Sequence, residues 1–484
     1  MPKPKIFDMT DQEIHSHFTQ NLEVRDKEKD HFGEVFTPPE LINEILDALP
    51  ANVWSDRDGR WLDPAAGHGN FSAFVYTRLL KSLANKIPNV QERKRHILDK
   101  MIFMAEINSS SIKEIRSIFG PNANILAGDF LHLCALQMRM ETLPLHSFPP
   151  TKSAFEICKG VETMDNKIDN KIDNKTGNIK PGFSVILGNP PFQSDKTETY
   201  QGSVGNRTLW DKFLTIGLSG DLLLPNGYLA FITPAGWRRP ENPLYDLVTK
   251  QNKLHFLHIY GKSDGQDKFG VQTRFDSYII QKGNATHNLP KIIDEKGKIH
   301  TNINPEKWPF LPNYAYDKIR KILVDPKKGI PILFNSSEYD ARKLSKRKTV
   351  RNRFPVVHGI TQKGLGIQFA KERDPKQFGV RKVLLNFNER QYPYNDFAGK
   401  YGMSQLTFGI PIKTQAEGDQ WIKAILSPEF EEILQATKWG AFQTDYRMFK
   451  YFDRNLYKKS TYKNSVNKNS VNKKSASSTR KNQK

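Results

Sequence analysis

Seven short apolar runs, at 60–62, 101–106, 124–127, 184–187, 228–232, 255–260 and 277–281, punctuate the first 285 residues of this chain. Most are separated by stretches with helical periodicity, as at 70–83, 110–119 and 209–218. Alternation of this kind predicts an α/β fold built on a parallel, doubly wound sheet. A further helix is expected at 38–49, where Pro38 and Pro39 suit a first turn and Leu41, Ile42, Ile45, Leu46 and Leu49 share one apolar face.

The fourth run ends in Asn189-Pro190-Pro191-Phe192. Two prolines stop a strand and stiffen its exit. An amide and an aromatic ring are thereby held on a rigid turn at the C-terminal edge of a strand, the edge at which open α/β sheets bind ligands. The pair suits an exocyclic amino group, which the amide can take by its hydrogens while the ring stacks on the base that carries it.

A second constellation opens earlier. Asp63-Pro64-Ala65-Ala66-Gly67-His68-Gly69 lies between the first run and a helix, and its glycines permit a tight turn and close backbone approach to a ligand. Glu106 ends the next run, where a carboxylate can accept from both hydroxyls of a ribose. Asp129-Phe130 follows the third, where an acceptor and an aromatic face can hold an adenine. These turns at successive strand ends form a nucleoside-binding edge. The chain has no Gly-x-x-x-x-Gly-Lys-Ser/Thr motif, and a loop that opens with a carboxylate repels pyrophosphate while suiting a cation. The expected cofactor is S-adenosylmethionine, with Asp63, Ala65, Gly67, Gly69, Glu106, Asp129, Phe130 and Asn189 around it. His68 is expected on the solvent side of the loop.

Composition bounds the partner. The 484 residues carry a formal net charge of +21, which favours a polyanion, most simply nucleic acid. Nine of the cations lie from Lys458 onward in an Asn/Ser/Lys-rich tail without acids, a segment unable to build a core. Two cysteines, Cys134 and Cys158, provide neither a disulfide framework nor a Cys-rich zinc site, and no metal is expected. No apolar stretch suits a signal peptide or a bilayer span, so a soluble cytoplasmic protein without membrane contact is expected. The run at 165–175 repeats a polar four-residue unit and reads as an expanded surface insertion.

Taken in order, these motifs resemble the gamma-class amino DNA methyltransferases of the TaqI type. Phe36-Thr37-Pro38-Pro39 matches that family's first element, and the Asp-Pro-x-x-Gly-x-Gly loop, the acidic strand ends and the Asn-Pro-Pro-aromatic turn follow as in the family. Gly227–Pro234 resembles the family's strand after the catalytic site, and Phe269-Gly270-Val271 with Phe275-Asp276-Ser277-Tyr278 resembles its last hairpin region. Ala66 and His68 depart from it, standing where Cys and Ser are frequent. The likeness spans roughly residues 30–285. It implies a Rossmann-like methyltransferase sheet followed by an α+β target recognition domain. It adds Phe36, Thr37 and Pro39 to the cofactor residues and makes Asn189, Pro190 and Phe192 catalytic. The implied divisions are an N-terminal extension (1–30), a catalytic domain (31–285, insertion 159–181), a DNA-reading domain (286–456) and a basic tail (457–484).

The implied reaction is methyl transfer to N6 of an adenine flipped out of duplex DNA, by a monomer, in restriction-modification or in viral or phage self-marking of DNA, with a separate restriction endonuclease as a candidate partner. The segment 193–207 is a candidate for closing over the flipped nucleotide. In the second domain Arg342, Lys343, Lys346, Arg347, Lys348, Arg351 and Arg353 put seven cations into twelve residues, a candidate phosphate contact. Aromatics alternate with basic residues at 439–452 and read mainly as core. An RNA methyltransferase, a protein glutamine methyltransferase, a cytosine-N4 enzyme and a catalytically idle nucleic-acid-binding protein are the alternatives.

Overall fold

The computed structural model describes residues 6–20, 36–132, 134, 182–193, 208–220, 222–283, 289–334, 339–388, 390–440 and 443–459. The polar insertion, Cys158, most of the 193–207 segment and the tail beyond 459 lie outside the described residues.

The seven apolar runs become strands of one sheet: β1 (Trp61–Asp63), β2 (Ile102–Glu106), β3 (Asn124–Ala127), β4 (Phe183–Gly188), β5 (Leu223–Pro234), β6 (Lys253–Tyr260) and β7 (Phe275–Gln281). Two short strands, β8 (Lys291–Ile293) and β9 (Ile299–His300), complete the order β3-β2-β1-β4-β5-β7-β6-β8-β9. From β3 through β5 all pairings are parallel, with β1 and β4 side by side at Trp61↔Val185 and Leu62↔Ile186. The chain therefore leaves β1 to one side and returns to its other side, which creates a topological switch point between β1 and β4. This is a Rossmann-like sheet in its strand order.

The sheet is not wholly parallel, contrary to expectation. β7 lies between β5 and β6 and runs antiparallel to both. β6 and β7 are joined by one eight-residue helix, Lys262–Phe269, and a short turn, and β7 returns directly alongside β6 as in a hairpin. Nor does the sheet end near residue 285. β8 pairs with β6 and β9 with β8, and the compact first unit comprises 1–237 and 242–308. Paired backbone at 291–300 carries this unit past the expected boundary, which a polar sequence with few apolar residues concealed.

Helix Pro39–Asp47 starts on Pro38 and buries Leu41, Ile42, Ile45 and Leu46. Each such side chain stabilises the fold by about 1.5–3 kcal/mol through removal from water. Ile45→Asp would break this face by placing an unpaired charge in it. Helix Asn70–Ser82 buries Phe71, Ala73, Phe74, Val75, Tyr76 and Leu79 in the same core.

The second unit, 238–241 with 309–484, is α+β. One three-stranded sheet joins β10 (Phe354–Thr361) to β11 (Gly364–Ala370) and β14 (Gly402–Met403). The other joins β12 (Lys382–Asn386) to β13 (Tyr394–Asp396) and β15 (Thr407–Pro411). Helices Gln415–Ile425 and Pro428–Ala436 follow. Trp439, Phe449 and Phe452 are buried, so the aromatic stretch is largely core, as its sequence suggested. Lys382 and Asp396 form a fully buried ion pair of 2.9 Å. Lys382 Nζ also donates to the carbonyls of Gln377 and Val380, and Asp396 accepts from the amides of Lys400 and Tyr401.

Candidate functional site

The switch point gathers the ends of β1, β2 and β4. Asp63 closes β1 and is buried, its Oδ1 accepting the Ala65 amide at 3.2 Å. Burial pushes its carboxyl up to about 8, against the pull of that hydrogen bond and with the negative charge of Glu106 adding to the rise. A buried carboxyl of this kind is neutral near pH 7 and gains most from a cation placed beside it.

The glycine loop is held from inside. Ala66 donates its amide to the Ala105 carbonyl, and Gly67 donates to Glu106 Oε2 at 2.7 Å. Glu106 Oε1 accepts the amides of Ile107 and Asn108. Gly67 and Gly69 have φ of 54° and 86°. A Cβ at Gly69 would stand 2.8 Å from the Phe119 ring, whereas one at Gly67 would meet nothing within 4 Å. The loop is thus packed on one side and open on the other, which is the form of a ligand cradle. His68 is not a solvent residue. Its Nδ1 lies 2.8 Å from Glu114 Oε2, with both side chains mostly buried, and this ties the loop to helix Ser109–Phe119.

At the third strand end Asp129 Oδ1 accepts the His132 amide at 3.1 Å. Phe130 is turned inward, 5% exposed, and stacks on Phe213 with ring centroids 5.8 Å apart. The open apolar side chain at this edge is Ile107, 63% exposed beside Glu106. The sequence reading missed it. Its signal is an Ile placed directly after the acidic end of a buried strand, where a polar residue would be ordinary.

The Asn-Pro-Pro-Phe turn leaves β4 beside Asp63. A Cβ at Gly188 would stand 2.9 Å from Asp63 Oδ1, so only glycine allows β4 to pass so close. Asn189 Nδ2 donates to Thr37 Oγ1 at 3.1 Å, and Thr37 is itself buried. Asn189 Oδ1 is shielded from solvent and has no hydrogen-bond partner among the described residues. An unpaired buried acceptor costs about 1–3 kcal/mol. The structure therefore brings together Thr37, Asp63, Gly188 and Asn189, residues from three distant stretches of sequence. Pro39 is buried at the start of its helix, and Phe36 is half-buried.

Phe192 is half-buried and meets the Phe269 edge at 6.3 Å. Phe269 abuts Phe275, which stacks on Tyr260 at 4.4 Å. The Tyr260 hydroxyl donates to Glu44, which also pairs with His258. Burial would push the Glu44 carboxyl up, but these hydrogen bonds and the charges of His258 and Lys268 outweigh it and hold it below its ordinary range. A continuous chain of contacts thus runs from Phe192 to the helix that follows Thr37. The Gln193↔Thr208 bridge closes the base of the segment proposed to cover a nucleotide; 194–207 lie outside the described residues.

In the second unit the seven cations are exposed, but they are not equivalent. Arg342 forks onto both oxygens of Asp340, and this pairing holds the Asp340 carboxyl well below the usual range. Arg353 lies over the Phe354 ring. Among the described residues no cluster of His, Cys, Asp or Glu is arranged to hold a metal, and no helix is long and apolar enough to cross a membrane.

Comparison with known proteins gives likenesses of three kinds. The profile of the Eco57I restriction-modification methylase family matches residues 132–265, which include Asn189 and its strand. An uncharacterized adenine-specific methylase of Mycoplasma pneumoniae is 26% identical over 281 residues, covering 49% of this chain. The chain covers 63% of that relative, somewhat less than two thirds of its length. Among solved structures, a Type IIL restriction-modification enzyme, MmeI, in complex with DNA aligns at 12% identity and a TM-score of 0.47, covering 91% of this chain and 70% of that one.

Proposed function

We propose that this protein is a DNA methyltransferase of a restriction-modification system that transfers the methyl group of S-adenosylmethionine to N6 of an adenine flipped out of duplex DNA. The observation that carries the reading is the unpaired, buried Asn189 Oδ1 at the switch point, beside the buried Asp63. The likeness to an adenine-specific methylase and to a restriction-modification methylase profile supports it.

The residues present fit the cofactor. Asp63 offers a buried carboxyl to a cationic amino-acid end, the Gly67 side of the loop is open, and Ile107 offers an apolar surface for a purine. Glu106 Oε1 and Oε2 accept backbone amides and would also accept from ribose hydroxyls. Bound there, S-adenosylmethionine supplies an electrophilic methyl group on a sulfonium.

The chain's own residues prepare the acceptor. Adenine N6 is a weak nucleophile because its lone pair is delocalised into the ring. With Asn189 Nδ2 committed to Thr37, Oδ1 faces the base and accepts one N6 hydrogen, and the Pro190 carbonyl accepts the other. The two acceptors draw the nitrogen out of conjugation and fix its lone pair in line with the methyl group. This is positioning and electrostatic preorganisation, with no covalent intermediate. Phe192 stacks on the base, a contact worth about 1–3 kcal/mol. The exposed cations of the second unit hold the phosphate backbone.

The test is incubation of the full chain with duplex DNA and methyl-labelled S-adenosylmethionine, followed by digestion and mass spectrometry of the nucleosides. N6-methyladenine is expected, and Asn189→Ala should abolish it while cofactor binding persists. N4-methylcytosine would change the base assignment, and label found only in RNA or protein would overturn the DNA reading.

A further inference from the structure

The loop between helical turn Ala341–Lys343 and β10 has a second property besides charge. From 341 to 354 there is no acidic residue. At the centre of this basic run sits Val350, 96% exposed, and every other large exposed apolar residue among those described reaches 63% or less.

Val350 is not a loose surface residue. The loop is pinned at both ends to β11: Ser345 and Phe369 exchange both backbone hydrogen bonds, and the Arg353 amide donates to the Ala370 carbonyl. Ser345 Oγ donates to the Arg347 carbonyl and accepts the Arg347 amide. At the tip the Thr349 amide donates to the Asn352 carbonyl, and the Asn352 amide donates to Thr349 Oγ1. These bonds hold residues 349–352 as a turn with Val350 at its second position. Turns of this kind are served by Gly, Pro, Asn, Asp or Ser, each for a backbone reason, and a β-branched side chain offers none of them. Local structure therefore does not account for Val350, and neither does packing.

Resting on the duplex-DNA reading above, we propose that the 345–353 loop is a DNA-reading finger in which Lys346, Arg347, Lys348 and Arg351 grip phosphates while Val350 makes an apolar contact with the bases. Cations on both sides of the tip can reach the two phosphate walls of a groove. A methyl-bearing side chain between them meets a thymine methyl or the face of an opened base step, the two apolar features a duplex presents. Either contact removes the Val350 methyls from water. The bracing of the turn means that little ordering is required on binding.

The two parts of the finger separate by salt dependence. Binding of the full chain to a pool of randomised DNA duplexes would be followed by fluorescence anisotropy across a salt series, for wild type, Val350→Ser and Arg351→Gln. Val350→Ser is expected to weaken binding about threefold to tenfold at every salt concentration with the slope unchanged. Arg351→Gln is expected to reduce the slope of log K against log salt by about one. Unchanged binding of Val350→Ser, with the slope still lowered in Arg351→Gln, would overturn the apolar contact and leave the DNA reading intact. If the wild type shows no salt-dependent binding to duplex, the DNA reading itself fails and this inference with it.

Discussion

Asn189 and Thr37, 152 positions apart in the chain, meet through a 3.1 Å hydrogen bond from the Asn189 side-chain amide to the threonine hydroxyl. The bond decides which end of the amide is presented. With the NH2 group committed, the carbonyl oxygen is the end left to accept a substrate hydrogen in the function proposed above.

Thr37→Val removes this bond and leaves the Asn189 amide free to rotate. Methyl transfer in a single turnover should fall about tenfold to hundredfold, the equivalent of about 1.4–2.8 kcal/mol in the barrier. Thr37→Ser should recover most of the rate, an outcome a purely packing role for Thr37 would not give.

The raised Asp63 carboxyl predicts the pH dependence of cofactor binding. A proton must leave Asp63 before it can pair with a cationic ligand, so the association constant for S-adenosylmethionine should rise with pH and level off above about 8. Calorimetry in buffers of different ionisation enthalpy should detect the released proton, and Asp63→Asn should abolish this part of the dependence. The linkage to stability has the opposite sense. A carboxyl kept neutral by burial favours the folded state most below its ordinary value near 3.8 and loses that contribution as pH climbs through about 8. Asp63→Asn should therefore be at least as stable as wild type in alkaline buffer while binding cofactor poorly.

Gly69→Ala should show that the cradle depends on one close approach. The new methyl would stand 2.8 Å from the Phe119 ring at a backbone φ of 86°. A loss of about 1–3 kcal/mol in denaturant unfolding is expected from strain and overpacking. Gly67→Ala shares the positive φ but meets no neighbour, so its unfolding should be less affected.

In the second unit Asp396→Ala would leave Lys382 buried without its counter-charge. Burial already pulls the Lys382 ammonium below its ordinary value, and Asp396 opposes that pull. Breaking a buried pair typically costs about 3–5 kcal/mol. Chemical denaturation should show a loss of that order in the transition to which this unit contributes.

The parts of this molecule readable from sequence are those that carry a periodic or compositional mark. All seven strand runs of the first sheet and the helix that begins at Pro39 lie where apolar spacing placed them. The reversal of β7 was not readable from apolar spacing, because strand direction is set by which neighbour a strand returns to; only the family resemblance pointed to a hairpin there. β8 and β9 escaped notice because edge strands of two or three residues carry no alternation to detect. Within the site, the motif residues could be named, but their contacts could not. His68 looked like a loop residue until Glu114 appeared beside it from another helix. Phe130 looked like an open ring until Phe213, 83 positions later, covered one face. Such pairings depend on how elements pack, information that no local spacing contains.

β4 takes its register directly from β1, through Trp61↔Val185 and Leu62↔Ile186. Asp63 and Asn189 are consequently spaced by the ladder between neighbouring strands and not by the length of chain that links β3 to β4. That link contains the tandem tetrapeptide at 165–175. Copying errors that add or drop whole repeats during replication would change the length of the gene product while leaving Asp63 and Asn189 where they are. Lengthening a loop costs little, about 0.6 kcal/mol for each doubling. The fold can thus absorb changes in repeat number between the ends of β1 and β4, and variants differing in repeat number should be equally active.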